Sequence, residues 1–97
     1  MFPTHRPRRL RTTPAVRRLV SETTVRPRQL VLPMFVKEGA SAPTPITSMP
    51  GVVQHTRDSL RKAAVDAVQA GVGGLMIFGV PASRDAIGSG GTDPDGV

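Results

Sequence analysis

Few side chains in this sequence are suited to covalent or metal chemistry. They are Lys37 and Lys62, His5 and His55, and the late carboxylates Asp85, Asp93 and Asp95. An amine of lysine forms Schiff bases with carbonyl substrates, provided its surroundings favour the neutral form. Lys62 falls on the polar side of a predicted helix and is read as solvated. Lys37 closes a predicted strand, a better position, because ligands of parallel α/β sheets bind beyond the carboxyl ends of strands. Its neighbour is Glu38, and an ordinary surface ion pair is the favoured reading. His5 and His55 stand apart, with no Cys, His or carboxylate partner at ligand spacing, so no metal site is assigned.

Gly88-Ser89-Gly90-Gly91 could cradle a phosphate with its backbone N–H groups. A P-loop also needs Gly-Lys-Ser/Thr opening a helix, and a dinucleotide site needs glycines directly after the first strand. Neither is present, and a mobile loop is the preferred reading. Asp93-Pro94-Asp95-Gly96 resembles a piece of a calcium loop but lacks the other ligands. Turn and helix-cap duty explains these aspartates better. No residue is assigned a catalytic role on chemistry alone.

The elements that must position these groups are legible from periodicity. Thr13-Pro14 starts a helix, hydroxyl at the N-cap and Pro at the first helical position. Ala15, Val16, Leu19 and Val20 continue it for two to three turns, to about Glu22-Thr23. Leu30 to Val36 is a continuous apolar run and predicts a strand buried on both faces. Pro33 interrupts it, and Pro cannot donate to a ladder. Residues 39–51 read as a loop anchored by Ile46 and Met49. Thr56 caps a helix with Leu60, Ala63, Ala64, Ala67 and Val68 on one side, and Gly71 sits at its left-handed end. Gly74 to Val80 is a second apolar strand. Strand, helix and strand make a βαβ unit with two parallel strands. Each such strand needs layers above and below, and a single helix supplies only part of one. The loop from Pro81 then leads to Asp93-Pro94, a helix start at the sequence's end, so the chain is expected to be truncated.

Composition points the same way. Only 38% of the 97 residues are hydrophobic, three are aromatic and none is Cys. A domain of this size buries somewhat more than ~60% of its unfolded surface and commonly needs disulfides or a metal. Absence of Cys rules out disulfides here and suits a cytoplasmic location. No apolar run approaches the ~20 residues of a membrane span, so no membrane partner is expected. The basic start lacks an apolar segment and is not read as a secretory signal. Eight Arg and one acid, Glu22, lie in residues 1–28, whereas residues 29–97 hold five basic and six acidic side chains. The division expected is an arm, 1–28, and a sheet-forming part, 29–97. The arm could bind nucleic acid. Its apolar stripe at 15–20, and its lack of aromatics other than Phe2, favour packing against another subunit instead.

Several segments together resemble 5-aminolevulinate dehydratase, the porphobilinogen synthase family. They are Arg8 to Arg11 with Pro14 to Thr23, Leu30 to Gly39, Ile46 to Gly51, Met76 to Pro81, and Gly88-Ser89 through Asp93 to Gly96, in order along nearly the whole chain. The resemblance implies a (β/α)₈ TIM barrel, present here as its first two strands and first helix behind an N-terminal arm: an incomplete barrel. It implies a lyase that joins two 5-aminolevulinate molecules, with loss of water, to porphobilinogen in heme biosynthesis. It further implies zinc or magnesium in the full-length enzyme, none of it bound by residues present here, and a homo-octamer clasped through the arm. Two catalytic lysines on later strands are implied beyond Val97. Neither Lys37 nor Lys62 matches them, so these residues alone are expected to be inactive. Phe78 matches a substrate-lining aromatic of the family, beside the alternative of a barrel-core Phe. The Leu-Pro interruption at Pro33 is also implied by the family's first strand. Rival readings are a small basic nucleic-acid-binding protein and a fragment that joins full-length subunits.

Overall fold

The structure is a computed structural model and describes residues 2–97. Four strands form a single sheet. In chain order the main elements are α1 (Pro14–Leu19), β1 (Val31–Lys37), β2 (Thr44–Pro45), β3 (Val53–His55), α2 (Arg57–Gln69) and β4 (Gly74–Val80). Short 3₁₀ turns at Arg9–Arg11, Pro27–Gln29 and Ser89–Gly91 punctuate the connections. The sheet order is β2-β3-β1-β4. β1 runs parallel to both neighbours and pairs with β4 along its whole length, from Val31 opposite Gly74 to Lys37 opposite Val80.

The strand–helix–strand unit is therefore present, with β1 and β4 adjacent and parallel. The span 39–51, expected to be loop throughout, contributes β2, which pairs antiparallel with β3. These two strands are too short, at two and three residues, to carry a period-two signal that sequence could display. Pairing with longer strands creates them. Pro33 fits inside β1 opposite Met76, and because β3 pairs only with Phe35 and Val36, β1 is locally an edge at Pro33, where Pro is tolerated.

Helix α2 forms as its chemistry requires. The Thr56 hydroxyl accepts from the Ser59 amide at 3.1 Å, and the Ser59 hydroxyl accepts from the Thr56 amide at 3.0 Å. This reciprocal cap satisfies two amides at the helix start. Gly71, at φ 89°, ends the helix in a conformation that L side chains rarely adopt. The apolar stripe lies against β1 and β3. Met34 and Ala67 are the buried hydrophobic residues, one on the central strand and one on the helix, and Leu60, Ala63 and Ala64 are half-buried. Val68, expected on the same stripe, is 65% exposed.

Both strands need layers above and below, and the single helix was expected to supply only part of one. Among the described residues Met34 alone is buried in β1, and Met76, Ile77 and Phe78 of β4 are exposed. Alternation along a strand puts Met34 on the helix-covered face and Phe35 on the other. Among the described residues that second face has no layer over it.

Helix α1 begins at Pro14 with the Thr13 hydroxyl accepting from the Val16 amide, but stops at Leu19, earlier than its apolar spacing suggests. It packs mainly on the Arg9–Arg11 turn, and Leu19 is 83% exposed. The radius of gyration is 21.3 Å, against about 13 Å for a compact domain of this length. The arm reaches away from the sheet.

Candidate functional site at the carboxyl ends of the parallel strands

Three strands deliver their carboxyl ends to one rim: β1 at Lys37, β3 at His55 and β4 at Val80. In parallel α/β architectures this rim is where reacting groups are placed. The residues reaching it can be built up from the register.

Phe35 and Phe78 are direct cross-strand partners. Their rings stack with centroids 5.5 Å apart and planes inclined at 22°. Paired residues of a parallel ladder share a face, and here it is the one opposite α2. Phe78 remains 44% exposed, which leaves an aromatic surface open near the strand's carboxyl end. Alternation also puts Lys37 on this face, two residues beyond Phe35.

Past the strand ends the chain is tied by Glu38. Its amide donates to the Val80 carbonyl at 2.9 Å, extending the β1–β4 ladder by one bond. Its carboxylate oxygen Oε2 accepts from the Ala82 amide at 2.7 Å. The expected Lys37–Glu38 ion pair is not formed. Successive residues at a strand end diverge, and the Glu38 carboxylate is turned to the Ala82 amide instead. Among the described residues the ion pair found is Arg61 with Asp58 at 4.0 Å, both well exposed on α2, a kind of contact worth little.

The loop from Pro81 is organised by its aspartates. Asp85 accepts from the Ser89 amide at 2.9 Å and from the Ser89 hydroxyl. These bonds, the side-chain one foremost, hold the Asp85 carboxyl below its ordinary value. Asp93 accepts from the Asp95 amide at 2.9 Å, and the Gly96 amide donates to the Asp93 carbonyl at 3.0 Å. Asp93-Pro94 thus makes a turn within the described residues, the duty expected of these carboxylates. Gly88, at φ 67°, permits the reversal ahead of the Ser89–Gly91 turn. A hollow of about 380 Å³ lies under this loop, lined by Gly79, Pro81, Arg84, Asp85 and Gly88 among others. Gly79 alternates away from Phe78, so this hollow and the aromatic face are separate.

The remaining candidates are not brought together. Lys62 is exposed on α2. His55 is held by the Ser59 hydroxyl, 3.0 Å from Nδ1, and so serves the helix start. His5 lies in the arm, far along the chain from either. Among the described residues no group of three or more His, Cys, Asp or Glu is placed to hold a metal ion, and no helix is long and apolar enough to cross a membrane. Sequence reasoning missed the Glu38–Ala82 bond. Its partners lie 44 positions apart, and nothing local marks either one.

A sheet in which β3, β1 and β4 run parallel, with one helix layer, one uncovered face and an aromatic pair near its carboxyl rim, is a part of an α/β fold. The chain belongs to the delta-aminolevulinic acid dehydratase family, whose pattern it matches over residues 4–97. It is 67% identical over 98 residues to the delta-aminolevulinic acid dehydratase of Mycobacterium leprae, covering 99% of this chain and 30% of that protein. With the enzyme of the same name from Streptomyces coelicolor the identity is 62% over 98 residues, again 99% of this chain and 30% of the relative. A crystal structure of the Toxoplasma gondii ME49 enzyme, delta-aminolevulinic acid dehydratase (porphobilinogen synthase), in complex with its reaction product porphobilinogen, superimposes with a TM-score of 0.83 at 33% identity. That match covers 98% of this chain and 27% of the other. The chain thus spans about 30% of the length of the curated relatives it matches.

Proposed function

We propose that these residues form the opening part of a porphobilinogen synthase, a lyase that condenses two 5-aminolevulinate molecules to porphobilinogen for heme biosynthesis. The observation that carries this reading is the family match over residues 4–97 together with 67% identity to a dehydratase. In this reading residues 1–28 are an arm that clasps a neighbouring subunit of a homo-octamer, and residues 29–97 begin a (β/α)₈ barrel in the cytoplasm. The uncovered face of β1 and β4 is then the barrel interior, and the β4 edge pairs with a further strand.

The chemistry assigned to these residues is positioning. Phe78 presents its ring to substrate near the carboxyl rim, backed by Phe35 at 5.5 Å, and an aromatic wall suits the flat pyrrole of the product. Stacking fixes the ring's orientation without adding a charge that would compete with the substrate carboxylates. Amine nucleophiles that form Schiff bases with substrate come from residues other than these, since Lys62 is on the outer helix and Lys37 does not fit the family's catalytic positions. Zinc or magnesium likewise does not fit the described residues, which bring together no ligand cluster. No step of the reaction is routed through a metal here. The arm's arginines are assigned to the rim of a subunit contact rather than to nucleic acid, on the strength of exposed Leu10 and Leu19 beside them.

The test is a chimaera in which this chain replaces the matched 98 residues of the Mycobacterium leprae dehydratase. It is expected to assemble and to form porphobilinogen from 5-aminolevulinate. A folded, assembled chimaera without product would reject the reading.

A further inference from the structure

We infer that Glu38 is a positioning residue, whose carboxylate latches the loop after β4 to the end of β1 and so holds the substrate-facing rim in shape. The inference rests on the dehydratase reading above and adds a residue to it.

Three observations converge on Glu38. Its side-chain bond to the Ala82 amide joins segments 44 positions apart, whereas every other side-chain hydrogen bond among the described residues spans six positions or fewer. The same residue contributes a backbone bond, Glu38 amide to Val80 carbonyl at 2.9 Å. Two bonds from one residue therefore grip both sides of Pro81, the point where β4 becomes loop. Phe78 lies only two residues before Val80, on the strand that this grip terminates.

The physical consequence follows from what each bond restrains. The ladder fixes β4 up to Val80, and past that point, among the described residues, the loop's first amide, Ala82, is held by the Glu38 carboxylate. A charged acceptor makes a bond roughly twice as strong as a neutral one. Glu38 is exposed, so water replaces it readily when it is removed. Losing it should therefore leave the sheet intact and free the loop. A loosened rim costs order each time substrate binds, which raises KM. Lost folded enzyme instead lowers apparent kcat and leaves KM alone.

The experiment uses the active chimaera with Glu38→Ala and Glu38→Gln. Glu38→Ala is expected to raise KM for 5-aminolevulinate about tenfold, with kcat changed less than about twofold. Glu38→Gln keeps an acceptor oxygen and should restore KM to within about threefold of the parent. Amide exchange at Ala82 should quicken in the Ala variant and stay near the parent rate in the Gln variant. An unchanged KM in Glu38→Ala, or a fall in kcat alone, overturns the latch while leaving the dehydratase reading in place. Equal KM changes in both variants overturn it too, since the charge rather than the bond would then matter. An inactive parent chimaera defeats the underlying reading instead.

Discussion

The two ends of the β1–β4 pair are closed by different means. At the amino end, backbone meets backbone: the Gly73 amide donates to the carbonyls of Pro27 and Leu30, at 3.2 and 3.1 Å. A Cβ at Gly73 would collide with the Arg28 carbonyl, so glycine is required by proximity alone. At the carboxyl end the ladder gains one backbone bond, Glu38 amide to Val80 carbonyl, and the close approach to the strand itself, at Gly79, is by the Val97 side chain rather than by backbone. A side chain, Glu38, spans the gap, and a loop of Gly, Ser and Asp residues continues from it. The difference separates two duties. Rigid closure at the amino end maintains the sheet, and a side-chain latch at the carboxyl end sets where the loop leaves the rim, the division expected when reacting groups occupy one rim of a parallel fold.

Substitutions at the two ends should therefore divide into losses of stability and losses of activity. The largest effect expected is from Gly73→Ala, which forces backbone apart. In the chimaera it should lower unfolding free energy by about 3 kcal/mol, read as the urea midpoint, with KM of the surviving enzyme unchanged. Next comes Phe78→Ala at the other end. If Phe78 faces substrate, kcat/KM should fall by on the order of tenfold, more than the stability lost with one aromatic stack of about 1 kcal/mol. A loss of stability that accounts for the whole activity change would return Phe78 to a packing role. Thr56→Ala removes the cap of α2, just past the end of β3 and outside the β1–β4 pair, and should cost about 1 kcal/mol with little change in kinetics.

The smallest effect is on pH. Asp85 has a lowered folded pKa, chiefly from the Ser89 hydroxyl bond. Such a group stabilises its turn above the unfolded carboxylate pKa and ceases to do so as pH falls through the lowered folded value. Exchange of the Ser89 amide, corrected for its intrinsic pH dependence, should quicken in that acid window. Asp85→Asn should remove the dependence. A flat profile in the parent would show that the Asp85–Ser89 turn is not held by the charge.

Sequence displayed the amino-acid patterns that repeat, and missed the contacts that do not. Helix α2 was legible because Thr56, its apolar stripe and Gly71 agree on one answer. The strands β1 and β4 were legible from their continuous apolar runs, within one residue at β1. β2 and β3 were not, because their order comes from partners distant in the chain. At the site, Phe78 stood out only through family resemblance, since an apolar strand gives no reason to single out one Phe. The Glu38 latch was hidden more deeply. Its neighbour Lys37 suggested an ion pair, and only the folded register brings Ala82 to the carboxylate.

The central claim is that these residues supply a functional rim to a porphobilinogen synthase. Porphobilinogen formation by the parent chimaera tests it most directly, measured beside the unaltered Mycobacterium leprae enzyme at equal assembled concentration. Turnover within about tenfold of that enzyme is predicted, a margin of roughly 1.4 kcal/mol in the barrier. A chimaera that folds and assembles like the unaltered enzyme, yet forms no porphobilinogen, would contradict the account.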